Sequence, residues 1–191
     1  MAGFSGTGSS RATLSRGERY STVAIAFHWS IALLVIVNLV IGIGHDAIPF
    51  LRSLMGAHKA IGITVLVLTA GRVAWRLAHR PPALPAGTPA WEKGVAHATH
   101  WTLYLLMIAM PLTGWLMVSG PGPHRPMPWF GLFEIPTLPV GKGLADLGHD
   151  THGVLGWLMA ALVVLHIAAA LRHHLILRDT VLTRIAPALR R

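Results

Sequence analysis

"THGVLGWLMAALVVLHIAAALRHH" (Thr151–His174) is apolar over a length that can cross a bilayer, and it carries His152 and His166 near the two ends of its greasy part. A bilayer core takes about 20 apolar residues as a helix. On an ideal helix the fourteen-residue interval between the two histidines rises about 21 Å and turns about 3.9 times. Both imidazoles therefore project from nearly the same face at opposite depths. An ionisable side chain at membrane depth needs a polar partner inside the protein, so this stretch implies a helix bundle in which one helix presents two stacked imidazoles to its neighbours.

The rest of the chain supplies the bundle. Of 191 residues, 53 % are hydrophobic and only 12 % charged, and the mean hydropathy is positive, which points to a small integral membrane protein of one domain. Three further apolar stretches are spans: Val23 to Gly44, Gly56 to Ala78 and about His97 to Val118. The second has a short uncharged centre, and Arg72 and Arg76 extend it by snorkelling. Pro111 and Gly114 are expected to bend the third. The links, His45 to Met55, Arg80 to Glu92 and Ser119 to Asp150, carry the Gly and Pro punctuation of connections.

With no cysteine in the chain, a disulfide, an iron–sulfur cluster, a thiolate zinc site and a covalently attached c-type haem are all excluded. The net charge of +9 sits beside apolar segments, so anionic headgroups explain it and nucleic acid is not expected as a partner. Lys and Arg gather at the N-terminal tail (Arg11, Arg16, Arg19), the second link and its flank (Arg72, Arg76, Arg80, Lys93) and the C-terminus (Arg172, Arg178, Arg184, Arg190, Arg191). Only Arg52, Lys59, Arg125 and Lys142 fall on the other side. The positive-inside rule then places both termini in the cytoplasm, with the four spans alternating in direction. The expected organisation is a flexible basic tail over 1–20, an up-down four-helix membrane domain over 21–178, and a basic tail over 179–191.

Depth selects partners for the two stacked imidazoles. His58 opens span two on the outer side, where span four begins, and His28 lies near the start of span one, where span four ends. His58 with His152 and His28 with His166 then form an outer and an inner pair. Two facing imidazoles at each of two levels are what two b-type haems require, with both axial positions closed so that the iron carries electrons instead of activating oxygen. Small residues near the ligands, Gly56, Gly62, Gly153, Gly156, Ala160 and Ala169, would let helices stand around a flat ring, although small residues also serve bare helix packing. A single membrane histidine can equally hydrogen-bond across helices.

"RYSTVAIAFHW" (19–29), "LMGAHKAIGI" (54–63), "GRVAWRL" (71–77), "GVAHATHWTLYLLMIAMPLTGWLM" (94–117) and "HGVLGWLMAALVVLHIAAALRHHLILRDTVLTRI" (152–185) together resemble the prokaryotic cytochrome b561 family over about residues 19 to 187. The resemblance implies a four-helix di-haem membrane cytochrome with His28, His58, His152 and His166 as axial metal ligands. It further implies coupling to the quinone pool and, for small free-standing members, oxidation of superoxide outside with reduction of ubiquinone. Two other readings stand beside it. One makes the chain the haem-bearing membrane anchor of a larger dehydrogenase or hydrogenase, docked through the Pro-rich outer loop with Trp129 and Phe130. The other drops haem and treats the histidines as a metal-transport path, for which the spans offer almost no carboxylate.

Arg72, fourteen residues after His58, lies on nearly the same face one level lower. It is positioned to meet a propionate of the inner haem or to reach lipid phosphate. Arg19 and Tyr20 are similar candidates for a propionate or a quinone. His97 and His100 open span three, one turn apart; they compete with His28 as the inner ligand, but span three offers no matching outer pair, so they contact propionates, serve a quinone pocket or sit at the interface, the interface ranking first for His97. His173 and His174 face headgroups, and His45, His79, His124 and His149 belong to links. Most of the seven tryptophans fall near span ends, as an aromatic belt does.

Overall fold

The computed structural model describes residues 19–83, 87–122 and 126–189. Arg11, Arg16, His124, Arg125, Arg190 and Arg191, which entered the charge argument or the histidine survey, lie outside the described residues. Four helices are long and apolar enough to cross a membrane: α1 (Thr22–Gly44), α3 (Met55–Ala78), α4 (Ala90–Val118) and α5 (Lys142–Arg172). Between α1 and α3 runs a single turn of helix, α2 (Pro49–Ser53). They form the expected all-α bundle, with successive long helices running in opposite directions. Two ends result: a terminal end, where α1 starts and α5 finishes, and a loop end, where α2 lies.

Local chemistry sets the boundaries. Ser21 caps α1 by accepting a hydrogen bond from the Ala24 N–H at 3.2 Å, one of the donors that a helix start leaves open. Pro49 starts α2 at a position where its missing N–H costs nothing. α4 passes through Pro111 without interruption. It also begins earlier than its apolar stretch, at Ala90, and α5 begins at Lys142 within the predicted third link. Polar first turns account for both: Glu92 lies in the first turn of α4, and Lys142 pairs with Asp146 four residues on at 2.6 Å.

α1 packs mainly on α3 and α4 mainly on α5, while the α3–α4 contact is smaller and the α1–α5 contact the lightest of the four. A buried cluster of Ile31, Val35, Ile41, Ile61, Val65, Leu106 and Met159 fills the middle. Many large apolar side chains point outward instead: Leu33, Val67, Leu105 and Val164 are each 65 % exposed. That surface suits hydrocarbon as its solvent, where a water-soluble protein would not carry it.

Both ends are closed by short structure. At the loop end the third link folds into a two-stranded hairpin, β1 (Pro128–Trp129) with β2 (Phe133–Glu134), turned at Phe130 and Gly131, both with positive φ. Trp129 Nε1 donates to Thr64 Oγ1 on α3 at 3.1 Å, and Lys59 donates to the Pro126 carbonyl. Val118, Met127 and Ile135 are buried together beneath it. At the terminal end α5 widens into a π-helical turn (His173–Leu177), and Arg178 reverses the chain in a left-handed conformation (φ 53°). Within the basic C-terminal segment, residues Val181–Ile185 form a short helix, α6. Its buried Arg184 donates to the Ala83 carbonyl at 2.5 Å, and the carbonyl of Ile185 accepts from Trp29 Nε1 at 2.9 Å. Arg172 and Glu92 tie α5 to α4 at 3.4 Å.

Candidate functional site

The bundle brings the four singled-out histidines together in the expected pairs. Near the loop end His58 of α3 and His152 of α5 face each other with ring centres 6.1 Å apart and planes at 82°. Near the terminal end His28 of α1 and His166 of α5 lie 6.3 Å apart at 63°. Metal–imidazole bonds are about 2 Å long and a ring centre lies about 1.2 Å behind its bonding nitrogen, so two imidazoles on opposite sides of one metal have ring centres about 6.4 Å apart. Both pairs match that separation, and rotation of either ring about the shared axis leaves it unchanged.

At the loop end the non-facing nitrogens are already engaged. His58 Nδ1 donates to the Asn38 carbonyl at 3.2 Å, and His152 Nδ1 to the Met110 carbonyl at 3.1 Å, with Thr113 Oγ1 also 3.1 Å from the latter nitrogen. An N–H bonded to a carbonyl fixes the tautomer and leaves Nε2 as the acceptor, the arrangement that metal-ligating histidines use. Among the described residues, the rings of His28 and His166 form no hydrogen bond.

The terminal-end level holds a third imidazole. His100 of α4 packs edge-on against His166 with ring centres 5.5 Å apart, closer than two imidazoles sharing one metal and suited to direct ring contact. From the sequence His100 competes with His28 for the inner position and is set aside for want of an outer partner on the same span; its neighbour His97 does lie exposed at the helix start, bonded to the Lys93 carbonyl at 2.7 Å. Arg72 reaches Tyr104, one turn after His100: its Nε donates to the Tyr104 hydroxyl at 2.9 Å and its guanidinium lies 5.7 Å from that ring's centroid. Arg76 lies over the rings of Trp101 and Tyr104, 5.9 Å from each centroid. Tyr104 escaped the sequence reading because it is one more aromatic in an apolar helix; its position, four residues after His100, was the available signal.

Small residues act here in ways the sequence did not indicate, with Gly42 not singled out and Gly114 expected only as a bend. Gly56 and Gly153 face open space, whereas Gly42 and Gly114 press directly on the rings of His58 and His152. Two buried polar atoms, Asn38 Oδ1 on α1 and Thr69 Oγ1 on α3, have no hydrogen-bond partner among the described residues. Asn38 is the residue whose carbonyl accepts from His58, and Thr69 lies one turn before Arg72 on α3.

Stacked, paired imidazoles between membrane-spanning helices define the class of small histidine-rich membrane cytochromes. Residues 19–188 match the family described as prokaryotic cytochrome b561, and the chain belongs to that family. It is 33 % identical over 174 residues to "Cytochrome b561 homolog 2" of Escherichia coli (strain K12), covering 88 % of this chain and 91 % of that one. Against "Probable superoxide oxidase CybB" of Yersinia pestis the identity is 32 % over 175 residues, covering 89 % and 97 %. "Cytochrome b561 homolog 1" of Escherichia coli (strain K12) is 28 % identical over 179 residues, covering 89 % and 98 %. The family implies haem b. The residues present fit it: the ring separations, the engaged Nδ1 atoms and the light α1–α5 contact are what an inserted flat group held between imidazoles requires.

Proposed function

We propose that the chain is a transmembrane electron conduit holding two b-type haems, one between His58 and His152 and the other between His28 and His166. The observation that carries this reading is the pair of metal-compatible ring separations, 6.1 and 6.3 Å, at two levels of one helix. When bound, haem b would supply a one-electron ferric/ferrous couple, held by His58 with His152 at one level and by His28 with His166 at the other. The chain's own contribution is spatial and electrostatic. α5 fixes the separation of the two levels, the apolar bundle excludes water between them, and Arg72 offers its remaining N–H groups to a propionate at the terminal-end level.

Orientation and partners belong to the same proposal. Arg19, Arg72, Arg76, Arg80, Lys93, Arg172, Arg178 and Arg184 crowd the terminal end, against Arg52, Lys59 and Lys142 at the other, which supports a cytoplasmic terminal end in a bacterial inner membrane. The donor then meets the loop end, where an open crevice lined by Met117, Gly120, Lys142 and His149 lies one turn from His152. Likeness to the probable superoxide oxidase supports superoxide as donor and ubiquinone as acceptor. Two superoxide anions each give up one electron and become dioxygen, and the quinone takes the two electrons with two protons.

Reduced-minus-oxidised spectra with haem quantitation test the ligand set. Wild type is expected to hold two haems per chain, and His152→Ala and His166→Ala to lose different ones; full haem content with unchanged spectra in both would overturn it. In proteoliposomes, superoxide-driven reduction of a short-chain ubiquinone tests the reaction, and its absence in fully loaded protein removes that donor–acceptor pair. The exposed hairpin residues Phe130, Leu132 and Phe133 favour a second reading, the haem-bearing anchor subunit of a dehydrogenase or hydrogenase. A catalytic subunit that co-purifies from the native membrane, and detaches when these three are replaced by serine, would favour it over the free-standing cytochrome.

A further inference from the structure

The two loop-end imidazoles are held by one backbone device used twice. On α1 the Asn38 carbonyl accepts from His58 Nδ1 at 3.2 Å. Four residues on, a Cβ added to Gly42 would stand 2.9 Å from His58 Cε1 and 3.4 Å from Nδ1. On α4 the Met110 carbonyl accepts from His152 Nδ1 at 3.1 Å. Four residues on, a Cβ added to Gly114 would stand 3.0 Å from His152 Cε1 and 3.3 Å from Nδ1. Both clamping helices run toward the loop end, and both clamped histidines sit on the helix that runs back.

The spacing has a physical cause. A helical carbonyl already accepts from the N–H four residues later, and its remaining lone pair is reached from the side. Cβ atoms lean toward the helix N-terminus, so the side chain at i+4 overhangs the carbonyl of residue i. Only glycine at i+4 leaves that approach open to a flat ring. Among the described residues no glycine touches the rings of His28 or His166, so the device distinguishes the two levels.

We propose that Gly42 and Gly114 are positioning residues for the axial histidines of the loop-end haem, each fixing its ring plane and its Nδ1–H···O=C bond. This rests on the ligand set proposed above. A hydrogen bond on Nδ1 makes the imidazole a stronger donor to the metal, which favours the ferric form; an added methyl pushes the ring off its carbonyl and raises the midpoint potential of that haem. The ring is the free end of a side chain, so the helices stay in place while it swings.

The test uses the haem-loaded full chain. Gly42→Ala and Gly114→Ala are each expected to retain two haems, to shift the low-spin ferric EPR signal that His152→Ala abolishes, and to raise one midpoint potential while the other stays put. Gly44→Ala, whose Cβ would meet only Leu51, is the packing control and should move neither haem. Thr113→Val, which removes the hydroxyl beside His152 Nδ1, should shift the same EPR signal without adding bulk and serves if an alanine variant fails to assemble. Wild-type signals in the glycine variants that assemble, equal shifts at both haems, a Gly44→Ala shift of the same size, or an unmoved Thr113→Val spectrum where neither glycine variant assembles would overturn the clamp. Retention of both haems by His58→Ala and His152→Ala removes the ligand set and the clamp together; loss of one haem in those variants, with silent glycine variants, removes the clamp alone.

Discussion

At the terminal-end level three imidazoles converge, and distance separates their roles. His28 stands 6.3 Å from His166, the span of two rings about one metal, while His100 at 5.5 Å touches the same ring edge-on. His100→Ala is therefore expected to keep two haems per chain and His28→Ala to lose one; haem-to-protein ratios after purification decide it, and the reverse result would exchange the two residues. The Arg72–Tyr104 bond beside them joins a permanent charge to a buried hydroxyl, a kind of bond worth about 1.5–3 kcal/mol. Tyr104→Phe should lower the thermal midpoint in detergent and free the guanidinium to move, so the EPR signal of the terminal-end haem broadens while the loop-end signal is unchanged. His152 and His166 could be read as a stacked pair from the sequence because fourteen residues on a 3.6-residue helix fix both face and depth, while His58 and His28 followed from the ends of the spans they occupy and from the family resemblance. The contacts that His100, Tyr104, Gly42 and Gly114 make with them could not, since these depend on the rotation of α1 and α4 about their own axes, and uniformly apolar helices give no sequence signal for that rotation.

The helices themselves were legible to the extent that lipid dictates them. Apolar length located four spans, but it missed the polar turns that begin α4 and α5, because a hydropathy window sees hydrocarbon contact and not backbone hydrogen bonding. It also missed α6, where charged Arg184 is buried by bonding a carbonyl and a hydroxyl instead of facing water. Replacing Arg184 by alanine leaves the Ala83 carbonyl without this donor; α6 should detach, and amide exchange across 179–189 should quicken while haem content holds. At the α4–α5 contact a Cβ on Gly148 would stand 2.9 Å from Met117 N and the Thr113 carbonyl oxygen, both backbone atoms. Gly148→Ala must separate the helices, at about 1–3 kcal/mol, and is expected to lower the thermal midpoint where Gly153→Ala, which faces open space, does not.

For the whole molecule, charge asymmetry is the orienting term. Basic side chains at the terminal end outnumber those at the loop end among the described residues, so a C-terminal green fluorescent protein fusion should fluoresce and a C-terminal alkaline phosphatase fusion should be inactive. The opposite pattern would invert the direction of electron flow proposed here. The loop-end hairpin and α6 lie at opposite ends of the bundle, so the same fusions report which of them faces the cytoplasm.

That a single helix, the last long one in the chain, contributes an imidazole to both levels has a consequence for biogenesis. On the ligand set proposed above, neither histidine pair is complete before the fourth span has entered the lipid, and a chain with three spans inserted offers one histidine of each pair. Loading of either level would then latch that span into a bundle that would otherwise release it to the bilayer.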